Sequence, residues 1–146
     1  MDMSVKQISV FLENKPGALK KMTGVLAAHE IDMRAISMVE TRDFGIARIV
    51  VDDPISAVNI LKEADFVSNL NSVLVVEIPD EPGGLDKLIN IFSDAEVNIE
   101  YMYAVSGHKS TKSACMIFRV ADTKAAEARL VAKGLKILTQ DDVMKI

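Results

Sequence analysis

The sequence is poor in cysteine and histidine. Cys115 is the one cysteine in 146 residues, so the chain can form neither an internal disulfide nor a thiolate metal cage. The two histidines, His29 and His108, lie far apart and show no ligand-like spacing. We therefore expect no metal site, and a reducing, cytoplasmic setting is the simpler interpretation.

An excess of positive charge and long apolar runs are also missing. The formal net charge of −4 argues against a sequence-independent nucleic-acid binder, which needs a basic face. No apolar stretch approaches the roughly 20 residues that span a bilayer. The first apolar run, Ile8 to Leu12, is too short for a signal peptide and is interrupted by Ser9. We expect neither nucleic acid nor membrane as a partner.

Two Pro-Gly turns stand out among the residues that are present. Residues 13–19 and 80–85 each follow an apolar run and precede a segment of helical period, which predicts a strand, a tight turn and a helix start. Proline lacks a donor that a helix start leaves unpaired, and glycine allows close approach to the backbone. The free amides and the helix dipole predict an anion site at each turn. A turn without a ligand is the alternative.

These turns belong to an internal repeat. A shift of 66 residues carries Pro16 to Pro82 and Gly17 to Gly83, and past the next hairpin a shift of 69 carries Asp53 to Asp122. The difference of three predicts an insertion in the loop 107–112. The first copy predicts strands over 5–12, 31–39, 46–51 and 66–70, a helix ending near His29, and a helix starting at Asp53.

The sequence therefore predicts an α+β protein with two tandem ferredoxin-like βαββαβ domains, residues 1–70 and 71–146. We expect the two to pack side by side, with the helices on one face of antiparallel sheets. The other face would be bare, and an apolar face of that extent is seldom left in water, so we expect a homodimer. Its apolar residues are predicted to be Phe11, Ile46, Val50, Val73, Val75, Cys115 and Ile117.

The whole chain resembles a pair of ACT domains, the ligand-sensing modules attached to many enzymes of amino-acid metabolism. The resemblance rests on residues 14–19 with 30–33 and on residues 80–85 with 96–99. It implies that an amino acid binds where two such domains meet, between the turn of one and the second strand of the other. Some family members have a histidine on the first strand where this chain has Leu12 and Ile78.

Carried over to this chain, the resemblance pairs Asn14 with Asn98 and Asp80 with Asp32 as acceptors for an ammonium group. The two sites would differ in charge, so we predict one tight and one weak site. Alternatively, these side chains only hydrogen-bond the local backbone. The predicted ligand-binding residues are Asn14, Lys15, Pro16, Gly17, Ala18, Leu19, Asp32, Met33, Asp80, Glu81, Pro82, Gly83, Gly84, Leu85, Asn98 and Ile99.

Three functions remain open at this point. The first is a non-enzymatic regulatory protein that senses a free amino acid at the interface between its two domains, without a cofactor or a fused catalytic domain, and acts on a metabolic enzyme or regulator. The second is a ligand-free structural or oligomerisation subunit that interacts with such an enzyme. The third is a small ferredoxin-like enzyme. Against the third, the sequence offers no nucleophile with a neighbouring base and no cofactor fingerprint.

Overall fold

A computed structural model describes residues 4–106 and 112–146, which form two compact units. The first unit is Lys6–Asn71, and the second is Ser72–Ile146 together with Ser4 and Val5. The elements in chain order are β1 (Val5–Glu13), α1 (Ala18–Ala28), β2 (Met33–Glu40), β3 (Phe44–Val51), α2 (Pro54–Glu63), β4 (Val67–Pro79), α3 (Gly84–Asp94), β5 (Tyr101–Ala104), β6 (Ser113–Arg119), α4 (Thr123–Ala132), β7 (Ile137–Leu138) and α5 (Gln140–Met144).

In the first unit, β3 lies between β1 and β2 and is antiparallel to both. Alternate residues of β1 point to one face of the sheet, because successive side chains of a strand alternate. Ile8, Val10 and Leu12 are buried there with Met22 and Leu26 of α1. The buried residues of α2 complete this core, so both helices cover one face of the sheet.

The second unit repeats this arrangement. β6 lies between β4 and β5, antiparallel to both, and the short β7 pairs with β4. Phe92 of α3 and Phe118 of β6 form the centre of the core, with their ring centroids 4.6 Å apart. The predicted βαββαβ repeat is therefore confirmed, since each unit has a strand, helix, strand, strand, helix, strand order.

The repeat register is also confirmed at the second helix of each unit. Asp53 and Asp122 are both helix N-caps, and the Ala57 and Leu61 positions of α2 correspond to the buried Ala126 and Leu130 of α4. The predicted insertion at 107–112 and His108 lie outside the described residues, apart from Lys112.

Some elements differ from the predictions. The short strand predicted over 66–70 is the beginning of the 13-residue strand β4. Leu19 in the first turn of α1 is 39% exposed, and the buried residues of this helix are Met22 and Leu26. The final helix α5 was not predicted, since its five residues are too few to show a helical period.

Most apolar residues of the predicted bare face are already buried in the single chain. Val50, Val73, Val75 and Ile117 are fully buried within the single chain, and Cys115 is 1% exposed. These residues therefore need no second chain to cover them, and dimerisation stays a prediction without this support. None of the helices in residues 4–106 and 112–146 is long and apolar enough to cross a membrane.

Candidate functional site

Both Pro-Gly turns end in a glycine that starts a helix. Gly17 and Gly83 are the N-caps of α1 and α3, with φ angles of 88° and 84°. This left-handed conformation is strained for residues with a side chain, which explains the glycines. Neither helix has a side-chain cap, because glycine has no side chain to provide one. The Ala18 and Gly84 amides donate to the Lys15 and Glu81 carbonyl oxygens of the turns instead.

The second helix of each unit is capped in contrast. The Asp53 carboxylate accepts a hydrogen bond from the Ser56 amide at 3.2 Å, and Asp122 accepts one from the Ala125 amide at 3.1 Å. A carboxylate at this position satisfies a free donor and interacts favourably with the helix dipole. In each unit, the second helix is therefore capped by its own aspartate, whereas the first helix has no carboxylate cap at its N-terminus.

A cleft of about 380 Å³ opens beside the first turn. We call it the first-turn cleft. Four predicted ligand-binding residues line it, namely those of the turn from Lys15 to Ala18. The structure adds residues from β1, from α1 and from the end of α2, and these are Phe11, Leu12, Glu13, Lys21, Asp65 and Phe66.

The charges in the first-turn cleft are arranged in local pairs. Lys15 Nζ lies 2.8 Å from a Glu13 carboxylate oxygen, and this hydrogen bond lowers the pKa of Glu13. The Lys21 ammonium lies over the Phe66 ring, 5.7 Å from its centroid, as in a cation–π contact. Asp65 has a φ of 65°, and its backbone amide donates to Lys62. The cleft thus combines carboxylate acceptors, ammonium groups and aromatic surface.

Sequence reasoning missed Asp65 and Phe66 because they belong to neither copy of the Pro-Gly motif. The topology contained the necessary signal. β1 and β3 are antiparallel, so the helices that follow them run in opposite directions, and α2 ends near the point where α1 begins. The residues just after α2 were therefore candidates for the same site.

The model of the ACT domain pair family matches residues 3–146 of this chain. The chain belongs to that family. A crystal structure of protein BT0572 from Bacteroides thetaiotaomicron is 35% identical, with a TM-score of 0.90 over 99% of this chain and 98% of that chain. Among curated proteins, no match to the chain was found.

Regulatory subunits of aspartate kinase share the fold of this ACT domain pair. The ligand-free structure from Thermus thermophilus is 20% identical, with a TM-score of 0.67 over 91% of this chain and 93% of that chain. The subunit from Thermus flavus is 18% identical, with a TM-score of 0.61 over 90% and 93%. At these identities the likeness concerns the fold alone.

The remaining predicted residues of the first ACT repeat have local partners. The Asn14 side-chain amide donates to Glu40 at 3.3 Å. The Asp32 carboxylate forms a 2.8 Å ion pair with Arg34 and stays 58% exposed. Met33 packs against the core, and Leu19 is partly exposed.

Asn14 and Asp32 lie at opposite ends of the same sheet. The Asn14 backbone amide donates to the Asp43 carbonyl oxygen at one end of β3. At the other end of β3, the Asp52 backbone amide donates to the Asp32 carbonyl oxygen. The nine steps between Asp43 and Asp52 span roughly 30 Å at strand geometry. A single amino acid therefore cannot touch the turn and the strand start of the same unit.

In the second ACT repeat, the predicted turn is held by backbone hydrogen bonds. The Asp80 amide donates to Lys112, and the Gly84 amide donates to Glu81. A side chain at Gly84 would overlap the Pro79 carbonyl oxygen, so this position needs glycine although its counterpart is Ala18. The other turn residues are exposed, namely Pro82, Gly83 and the 42% exposed Leu85.

Asn98 lies away from this turn, in a cleft of about 320 Å³ at the start of α4. The cleft also contains Asp122 and Arg129, and the Arg129 guanidinium donates to the Glu96 carbonyl at 3.4 Å. Ile99 packs against the core of the second unit. Asp122 already caps the N-terminus of α4. The helix amides in this cleft are therefore less available to a ligand's carboxylate than those at the Pro-Gly turns.

A wider groove of about 680 Å³ runs along the outer surfaces of α1 and α2. It shares Gly17 and Lys21 with the first-turn cleft, and its floor is made of small or apolar residues such as Gly24 and Ala28. This groove is more open than the first-turn cleft and has no aromatic wall. We assign the ligand to the narrower cleft for that reason.

The described residues offer little for catalysis. No group of three or more histidine, cysteine, aspartate or glutamate side chains in residues 4–106 and 112–146 is arranged to hold a metal ion. Burial raises the pKa of the Cys115 thiol to about 11, with the nearby Glu77 carboxylate adding to the effect. At neutral pH this thiol is protonated and is a poor nucleophile.

Proposed function

We propose that this ACT domain pair is a non-enzymatic regulatory protein that binds a free amino acid at a Pro-Gly turn. One observation carries the proposal. The helices that follow the two turns have no side-chain cap, whereas α2 and α4 are capped by aspartates. A ligand carboxylate fits the open amides as Asp53 and Asp122 fit theirs.

The first-turn cleft contains partners for both charges of a zwitterion. The amides that follow Pro16 can donate to the carboxylate, and Lys21 adds a positive charge on the same side. The ammonium group needs an oxygen acceptor, and the Asp65 carboxylate lies in the lining of this cleft. Acceptors at Asn14, Asp32, Asp80 and Asn98 remain a prediction. Any strand-start acceptor would have to come from a different domain than the turn it serves.

The regulatory part of the proposal draws on the family. A relative of the same fold is the regulatory subunit of aspartate kinase from Thermus thermophilus. In this chain, binding would shift a conformational or assembly equilibrium, and the change would act on a metabolic enzyme or another regulator. A homodimer and a cytoplasmic location belong to this proposal. The raised pKa of Cys115 is consistent with a role that does not involve catalysis.

A thermal-shift screen of the common amino acids tests the proposal. A ligand bound by the native state alone raises Tm with concentration, and at 100 times Kd it stabilises the protein by about 2.7 kcal/mol. We expect at least one amino acid to give such a series, with matching heats in isothermal titration calorimetry. If none does so up to millimolar concentration, the chain is a ligand-free subunit.

A pair of variants connects binding to the open amides. Leu19→Asp puts a carboxylate at the second position of α1, where it competes with the ligand for the first-turn amides. Ile55→Asp is the control, because Ile55 is also exposed and is the second residue of α2, whose N-terminus is already capped. Both changes suit a helix N-terminus, so folding should be retained. We expect Leu19→Asp to weaken binding and Ile55→Asp to leave it unchanged, and equal effects would contradict the assignment.

A further inference from the structure

The walls of the first-turn cleft that do not serve the ligand's two charges are apolar. Phe11 is 39% exposed beside the cleft, and Phe66 is half-buried at its other side. Leu12 and Pro16 lie between them in the lining. Partly exposed aromatic surface in a cleft of this size is suited to an apolar side chain, because each Å² removed from water contributes roughly 25 cal/mol.

The charged groups of the cleft leave no partner for a charged ligand side chain. Glu13 and Lys15 form an ion pair with each other at 2.8 Å, and Lys21 serves the ligand's carboxylate. That leaves the Asp65 carboxylate, which the ligand's ammonium group requires. A charged side chain would lose its hydration in this cleft without gaining an ion pair, which costs free energy.

The corresponding corner of the second repeat keeps Pro82 and Lys87 in place of Pro16 and Lys21, but it differs at the aromatic positions and at Asp65. The repeat shifts place Glu77 where the first copy has Phe11 and Leu135 where it has Phe66. Gly134 replaces Asp65, so the ammonium acceptor is missing. Two charges near the turn are reversed as well, since Lys15 and Lys20 correspond to the acids Glu81 and Asp86, whereas Lys87 keeps the charge of Lys21. Acids beside the second turn repel a ligand carboxylate.

We infer that the chain binds one amino acid per protomer, at the first-turn cleft, and that this ligand has an uncharged, apolar side chain. The inference rests on the proposed function and adds the ligand class and the choice between the two turns. Phe11 and Phe66 contact the ligand's side chain, and Asp65 accepts hydrogen bonds from its ammonium group. The second turn stays a structural turn.

Isothermal titration calorimetry with a panel of free amino acids tests the ligand class. The panel holds valine, leucine, methionine and phenylalanine as apolar members, with aspartate, glutamate, lysine and arginine as charged ones. We expect the best apolar member to bind at least tenfold tighter than any charged one, with one site per chain. Tighter binding of a charged amino acid, or two equal sites, would overturn the inference and leave the proposed function standing. A panel without any binding would overturn the inference, and the proposed function would fall only if the thermal-shift screen of all the common amino acids were negative as well.

Asp65→Gly tests the site without straining the fold. Asp65 has a φ of 65°, and glycine, which occupies the corresponding Gly134, adopts that conformation freely. Glu30→Gly is the matched control, because Glu30 has a φ of 58° and follows α1 at the opposite end of the same unit. Loss of a charge-assisted hydrogen bond predicts at least roughly tenfold weaker binding for Asp65→Gly. The control should bind as the unchanged chain does, and equal affinity of both variants would place the ligand elsewhere.

Charge exchange between the turns tests which turn is used. Lys15→Glu with Lys20→Asp copies the second turn onto the first, whereas Glu81→Lys with Asp86→Lys is the converse change at the second turn. We expect the first variant to lose binding. The second variant should still bind one amino acid per chain. Loss of binding in the second variant alone would assign the ligand to the Gly83 turn and overturn the inference.

Discussion

Gly24 and Gly84 are both helical residues, but the chain needs only one of them to be glycine. A Cβ at Gly84 would overlap the Pro79 carbonyl oxygen, whereas a Cβ at Gly24 would meet nothing within 4 Å. Gly24 lies in the middle of α1, where glycine is less favourable than alanine by up to about 1 kcal/mol. The packing of the chain itself gives no reason for glycine at this position.

This contrast predicts opposite effects of the same substitution. Gly84→Ala should lower the free energy of unfolding by about 1 to 3 kcal/mol, because the added methyl group forces a backbone shift. Gly24→Ala should raise it by up to about 1 kcal/mol, because alanine favours the helix. Urea denaturation of the two variants measures both values. A destabilised Gly24→Ala variant would show that α1 packs more closely than the structure indicates.

Helix capping is the feature that distinguishes the elements of each unit. Asp53→Ala and Asp122→Ala should each cost about 1 kcal/mol of folding free energy, because they leave first-turn amides without a partner. Asp53→Asn and Asp122→Asn are the controls, since asparagine is an equally good cap. Thermal unfolding measures the losses, and ligand affinity should not change in any of the four. A change in affinity would mean that the N-terminus of α2 or of α4 belongs to the ligand site.

The C-terminal helix α5 predicts a pH dependence. The Thr139 backbone amide, together with its side chain, lowers the pKa of Asp142 in the capping box. Because the folded-state pKa is depressed, this contribution is fully present above the ordinary carboxyl pKa near 4 and is lost as pH falls through the lowered value. The Thr139 amide chemical shift followed from pH 6 to pH 2 should report this loss. Asp142→Asn should remove that titration, and a transition that persists in the variant would assign it to another group.

The elements were predictable to the extent that they follow periodicity and capping rules. Alternation indicated β1, and the Asp53-Pro54 pair indicated the start of α2. The full length of β4 was not predictable, because the polar residues Ser68 and Asn69 interrupt its apolar pattern. A local sequence pattern indicates local structure. It does not indicate that the last strand of the first repeat continues directly into the first strand of the second repeat, as β4 does.

At the scale of the whole molecule, the Pro-Gly turns could be predicted from the sequence, but the cleft beside them could not. Residues from Lys15 to Ala18 line that cleft, and their contact with a ligand stays a prediction. Asp65 and Phe66 enter it only because α2 ends at the same edge of the fold. The burial of Val75 and Ile117 was also missed, since the sequence shows an apolar strand face but does not show what covers it.

The central claim is that the amides of Gly17 and Leu19 bind the ligand's carboxylate, since the Ala18 amide between them donates to the Lys15 carbonyl oxygen. A ¹H–¹⁵N NMR titration of the labelled chain with the best apolar amino acid tests it most directly. We predict large, saturable shifts of the Gly17 and Leu19 amides with the Kd found by calorimetry, and small shifts at Gly83. Saturable shifts centred on Gly83 and Leu85, with unchanged Gly17 and Leu19 signals, would contradict the claim.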